Sequence, residues 1–185
     1  MGLTVDMSAA VIAACASIFA AGLTFVLAQR GLISQERRQA KLLRISSQLA
    51  ELYAPLRTLV DVNEHLWESL RESHLPPSAQ RRFDRDNSDW RRWRDHVLMP
   101  ANRTMRDLIL DHADLLLEPY LPNPLRDFCA HVASLEVVLA AESEGLTAPP
   151  LVRHPGDRFV RHVRDSYDHL VSERHRLLPV HPGNR

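Results

Sequence analysis

The chain sets an unbroken uncharged run, Ser8 to Ala28 (SAAVIAACASIFAAGLTFVLA), before a long amphipathic remainder. Such a run forms a helix about 30 Å long, the thickness of a bilayer's hydrocarbon core, and it predicts an N-terminal transmembrane helix. From Ser34 to about His74 the apolar positions change to a three-four spacing: Leu42, Ile45, Leu49, Leu52, Leu56, Leu59, Asn63, Leu66 and Leu70. Tyr53, Val60 and Trp67 lie beside that stripe and widen it beyond a coiled-coil seam, so the segment should pack against several helices. Pro55 lies inside the pattern and leaves its phase unshifted; it removes an amide and frees the carbonyl of Glu51, which predicts a kink or brief break.

Residues 75–88 read as a loop, with Asn87 or Ser88 capping a second helix from about Asp89 to Leu117. The inner face expected there is Trp90, Trp93, Val97, Ala101, Met105, Leu108, His112 and Leu115, with Pro100 as a second interruption. After the connection EPYLPN, Asn123 and Pro124 form an N-cap and first-turn pair for a third helix, 124–144, faced by Leu125, Phe128, Val132, Leu135 and Leu139 and stopped by Gly145. A Pro-rich connection, 146–156, leads to a fourth helix at 157–178 with Phe159, Val163, Tyr167, Leu170 and Leu177 inward. Short connections between long helices imply antiparallel neighbours. The fold expected is all-α: an N-terminal transmembrane helix followed by an up-and-down four-helix bundle. Its parts are an anchor at 1–30, with Gly31 as a joint, a cytoplasmic bundle at 31–178 and a disordered tail at 179–185. A straight 34–74 helix would reach about 60 Å from the bilayer.

Charge gives the anchor an orientation. Only Asp6 precedes the run, whereas Arg30, Arg37, Arg38, Lys41 and Arg44 follow it against Glu36 alone. Basic residues beside a span stay on the cytoplasmic side, which places a short N-terminus outside and the bundle in the cytoplasm of a bacterial plasma membrane. A cleaved signal would need a basic leader and a shorter core. The box Ile12-Ala13-Ala14-Cys15 resembles a lipoprotein cleavage site, but apolar sequence continues well past the cysteine. Ala10, Ala14, Ser17, Ala21, Thr24 and Ala28 share one face of the run, a surface on which two spans can approach closely and form a homo-oligomer. The chain's 22 arginines against one lysine point to GC-rich coding, which also raises alanine and so weakens that inference.

Net charge is zero overall; residues 51–185 carry 18 basic and 21 acidic groups, an imbalance of −3 that argues against nucleic acid as a partner. Cys15 and Cys129 are too few and too far apart for a disulfide framework. No phosphate loop, His-Glu-x-x-His, Cys-x-x-Cys or nucleophile-elbow sequence occurs, so no catalytic residue and no cofactor is assigned.

Few polar residues fall on apolar faces. Asn63 is the one on the central stripe, a buried polar group expected level with Pro100 and able to satisfy the carbonyl of His96. His112 and His131 should come level across the second and third helices; facing imidazoles can hold a metal, but two ligands without a Glu-x-x-His pair favour an ordinary inter-helix contact. His162, Asp165, His169 and Glu173 share one face of the last helix, as Asp61 and His65 do on the first, and both sets read as solvated. The cluster RRFDRDNSDWRRWR (81–94) is almost neutralised by its aspartates and reads as internal ion pairs around buried indoles.

The segments LYAPLRTLVDVNEHLW, WRRWRDHVLMPANRTMRDLILDHADLL and PNPLRDFCAHVASLEVVLA together resemble a group of bacterial single-pass membrane proteins with a helical cytoplasmic domain. The resemblance covers roughly residues 50–140 and implies an architecture with no activity attached. The function expected is a membrane-tethered interaction module that oligomerises or recruits a cytoplasmic protein. A membrane-perturbing effector acting through a clustered span is the alternative, and an enzyme or metal-binding bundle comes third. The span's only polar residues are Ser8, Ser17 and Thr24, which disfavours a water-filled pore.

Overall fold

The computed structural model describes residues 3–73 and 88–178, with side chains at 17, 19–72 and 90–178. The expected 75–88 loop, apart from Ser88, and the 179–185 tail lie outside the described residues. Every regular element is helical: α1 (Leu3–Ser47), a π-helical turn (Gln48–Tyr53), α2 (Ala54–Ser73), α3 (Ser88–Trp93), a second π turn (Arg94–Leu98), α4 (Met99–Asp111), a 3₁₀ turn (Ala113–Leu115), α5 (Asn123–Ser143) and α6 (Asp157–Leu177). The chain divides into two compact units, Met1–Leu43 and Arg44–Arg185.

The first unit is helical, and each of its described side chains from 17 to 41 is exposed. Gly31 is helical within α1 and a methyl group there would meet nothing within 4 Å, so the backbone needs no glycine at the expected joint. The boundary between the compact units falls at 43/44, and among the described side chains Ile45 is the first buried one. Among the described residues no helix is long and apolar enough to cross a membrane. The expected span starts at Ser8, and the side chains of residues 8–16 and of Ile18 lie outside the described set.

The second unit is a four-helix bundle. α2 packs on α4 and α6, α4 on α5, and α5 on α6, which closes the ring. Neighbours are antiparallel, since partner numbers fall as residue numbers rise. Arg94 pairs with Glu142 and Arg106 with Glu136 across α4 and α5, while Arg57 pairs with Asp168 and Asp61 with Arg164 across α2 and α6. Asp61 keeps a partly solvated side chain and an (i, i+4) pair with Arg57, and adds an inter-helix ion pair with Arg164. The core is continuous: Leu49, Leu52, Tyr53, Leu56, Met105, Ile109, Leu125, Phe128, Val132, Phe159, Val163 and Leu170 are all buried.

Neither proline breaks its helix. Each follows a π turn whose closing bond spans five residues, Ala54 N–H to the Leu49 carbonyl and Met99 N–H to the Arg94 carbonyl. A proline lacks the amide that would bond four residues back, and its ring clashes with that carbonyl. The wider turn accommodates both problems and carries one residue more than regular helix. That residue shifts the downstream face. In the second helix Leu98, Asn102 and Ile109 are buried one place beyond the Val97, Ala101 and Leu108 expected from unbroken periodicity, while Met105 is buried as expected. In the first, the turn buries both Leu52 and Tyr53, and Val60 then lies deeper than Leu59.

Helix ends follow local chemistry. Asn123 is the first residue of α5 rather than its cap; the Arg126 amide bonds the Pro122 carbonyl at 2.9 Å and closes the turn one residue earlier. Gly145 has φ +75°, with Leu146 N–H on the Ala141 carbonyl (2.8 Å) and Gly145 N–H on that of Glu142 (3.1 Å), a Schellman ending. Gly156, at φ +58°, starts α6. Two buried polar side chains hold the 112–117 corner: the Gln48 amide donates to the Leu115 carbonyl (3.0 Å), and the Tyr53 hydroxyl accepts from Leu117 N–H (3.2 Å).

Candidate ligand-binding site in the bundle

Inside the second unit lies a cavity of about 480 Å³, within the range of small-molecule sites. Four segments form it. α2 supplies Asn63, Glu64, Trp67, Glu68 and Arg71. The α3–α4 helix supplies Trp90, Arg94, Leu98, Met99 and Asn102. α5 supplies His131 and Leu135, the connection before α6 supplies His154, and the first residue of α6 is Asp157.

One end is aromatic. Trp67 and Trp90 meet edge to face, with ring centroids 5.8 Å apart and planes at 67°. The middle holds two amides, Asn63 and Asn102, and among the described residues the Oδ1 of each is buried without a hydrogen-bond partner. Asn102 is only 7% exposed. An unpaired buried carbonyl loses roughly 1–3 kcal/mol of hydration, so two lining one cavity are a specific chemical feature. Asn63 is half-buried, and among the described residues it makes no bond to the His96 carbonyl.

The far end is a histidine pair. The ring beside His131 is His154, with centroids 5.0 Å apart and perpendicular planes; His112 instead ends α4. The His131 Nδ1 lies 2.9 Å from the Val152 carbonyl. A carbonyl only accepts, so Nδ1 carries the proton and Nε2 is left as an acceptor in the neutral ring. Gly156 N–H donates to the Nδ1 of His154 at 2.9 Å. The Ser134 hydroxyl accepts from Leu151 and Val152 N–H, and together these bonds fasten the 151–156 segment to α5. His154 as a residue is solvent-exposed, yet its ring stands on edge against Phe128 and Phe159, which stack at 4.0 Å. Desolvation there, with His131 nearby, pushes its pKa down to about 4.

The charges around the cavity lean acidic. Glu64, Glu68 and Asp157 face Arg71 and Arg94, and Arg94 is already paired with Asp95 and Glu142, both at 2.7 Å. Desolvation raises the Glu64 pKa, with Glu68 and Asp157 adding to it against the pull of Arg164 and Arg71. The lining is therefore rich in acceptors and negative charge, beside an apolar wall of Trp67, Leu98, Met99 and Leu135.

Other sequence-selected residues are placed elsewhere. Ser17, Ala21, Thr24 and Ala28 are exposed on α1, and the side chains of Ala10 and Ala14 lie outside the described set. His169 and Asp165 are exposed on α6, whereas the His162 Nε2 is buried without a partner among the described residues. Among the described residues no group of three or more His, Cys, Asp or Glu is placed to hold a metal ion. Burial pushes the Cys129 thiol up to about 11, which keeps it protonated and a poor nucleophile near neutral pH. Sequence reasoning missed Asn102, His154 and Gln48. The π turn brings Asn102 onto the inner face in place of the expected Ala101, and His154 and Gln48 carry no periodic signal. No family model, curated protein or solved structure matches the chain.

Proposed function

We propose that the chain is a membrane-tethered helical interaction module, with α1 as the anchor and the bundle held in the cytoplasm to bind a partner protein. The observation that carries this reading is the exposure of α1's apolar side chains: Phe19 is 75% exposed, and Leu23, Phe25, Val26 and Leu27 are also open. Burying large side chains of this kind gains about 1.5–3 kcal/mol each, so a surface of them calls for an apolar environment. The Thr24 hydroxyl donates to the Ala20 carbonyl at 2.8 Å, which satisfies it within the helix as lipid requires. The basic residues that follow, Arg30 to Arg44, match a cytoplasmic collar beside anionic headgroups. The small-residue face from Ala10 to Ala28 is the surface through which spans would pair.

The test is fractionation of full-length protein together with a topology reporter on its C-terminus. A tethered module stays with membranes through alkaline carbonate and shows a cytoplasmic reporter. Release by carbonate, or a reporter active outside the cell, overturns the reading. Growth arrest and depolarisation on overexpression, dependent on residues 8–28, would instead indicate a membrane-perturbing effector.

A further inference from the structure

The chemistry of the cavity identifies a class of ligand. We propose that it binds a small organic cation, a protonated amine carried on an apolar, planar body. The cavity lies wholly within the second unit, so this inference stands whether or not α1 enters a membrane.

Three independent features converge. The first is the pair of orphaned acceptors: Asn63 and Asn102 both line the space, their Oδ1 atoms lack donors, and Asn102 is more than nine-tenths buried. His131, its Nδ1 held 2.9 Å from the Val152 carbonyl, lines the same space. A ligand that supplies N–H donors restores what folding took from the asparagine carbonyl oxygens. The second feature is charge. Glu64, Glu68 and Asp157 outnumber the guanidiniums, and Arg94 is committed to Asp95 and Glu142, so an incoming anion meets net repulsion and a cation meets attraction. The third is the wall of Trp67 and Trp90, with Leu98, Met99 and Leu135. Indole faces attract cations, and the remaining surface suits a flat apolar body. A metal ion fits these features less well, because it needs a tight shell of ligands rather than a cavity of 480 Å³ with an aromatic wall.

The test is a matched series on full-length protein in lipid nanodiscs, read by calorimetry and by tryptophan fluorescence. The probes are 4-phenylbutylamine, 4-phenylbutanol and 4-phenylbutyrate, which share a body and differ in the charge of the head. The amine should bind saturably below roughly 1 mM and change the indole emission, with the alcohol at least about tenfold weaker and the acid not binding. Glu64→Gln, which keeps shape and removes charge, should weaken the amine by about tenfold, as should Asn102→Leu. Glu144→Gln, an equal charge change outside the cavity, should leave binding unaltered. Thermal unfolding of each variant separates lost binding from lost fold. Equal binding of all three probes, tighter binding of the acid, no saturable amine binding, or equal weakening by Glu144→Gln would each overturn the proposal. Should Asn102→Leu fail to fold, Glu64→Gln alone decides.

Discussion

His154 joins a fold contact to a titration. Its Nδ1 accepts from Gly156 N–H, so a proton on that nitrogen removes the acceptor at the start of α6. The folded pKa of about 4 lies below the ordinary 6.5, hence the unfolded chain takes the proton first. The stability this group contributes is complete above pH about 6.5 and drains away as pH falls toward 4. Chemical denaturation between those pH values should show the loss, and His154→Phe should flatten the slope. The asparagines make a second residue-scale prediction. Replacing Asn102 by Leu removes an unpaired buried carbonyl and fills apolar space, and should raise unfolding free energy by about 1 kcal/mol, measured by denaturant midpoint. A rise in stability with a fall in amine binding is the pattern expected of a site kept polar for a ligand. Asn63 was visible in the sequence because it interrupts a leucine stripe. His131's partner was not, since the 146–156 connection has no periodicity from which to place His154.

At the scale of elements, periodicity located all four bundle helices and most of their inner faces. It identified Leu52, Leu56, Leu125, Phe128, Phe159 and Val163, which are all buried. It slipped by one residue at Val97, Ala101 and Leu108, though not at Met105, because a three-four count assumes regular helix and the π turn at Arg94–Leu98 carries an additional residue. The slip is the reason Ala101 was expected where Asn102 stands. Gly145 was read correctly as a stop. Its φ of +75° costs other residues about 1 kcal/mol or more, although a methyl group there would meet no neighbour. Gly145→Ala should therefore destabilise the bundle by about 1 kcal/mol through conformation alone, a difference that thermal unfolding will resolve. Glu136 accepts from both Arg103 and Arg106; burial works to raise its pKa, but those bonds more than offset it and hold the carboxyl below its usual range. This pairing ties α4 to α5 on the side where the face had slipped.

At the scale of the whole molecule, the ring of helices follows from short connections, since each helix packs on the next and α6 closes onto α2. The cavity does not follow from any local pattern. Its lining comes from residues 63–71, 90–102 and 131–157, and only the packed bundle brings them together. The π turns also make chain length unusually adjustable at two places. A turn with one residue to spare can give it up and become regular helix, and everything beyond keeps its heading; the same loss one turn later would swing Met105 and Ile109 out of the core. Deleting His96 together with Pro100→Ala should thus yield a folded protein with a near-normal melting temperature, while deleting Thr104 should not. The two prolines thereby mark the positions at which lineages of this chain could gain or lose a residue and still fold.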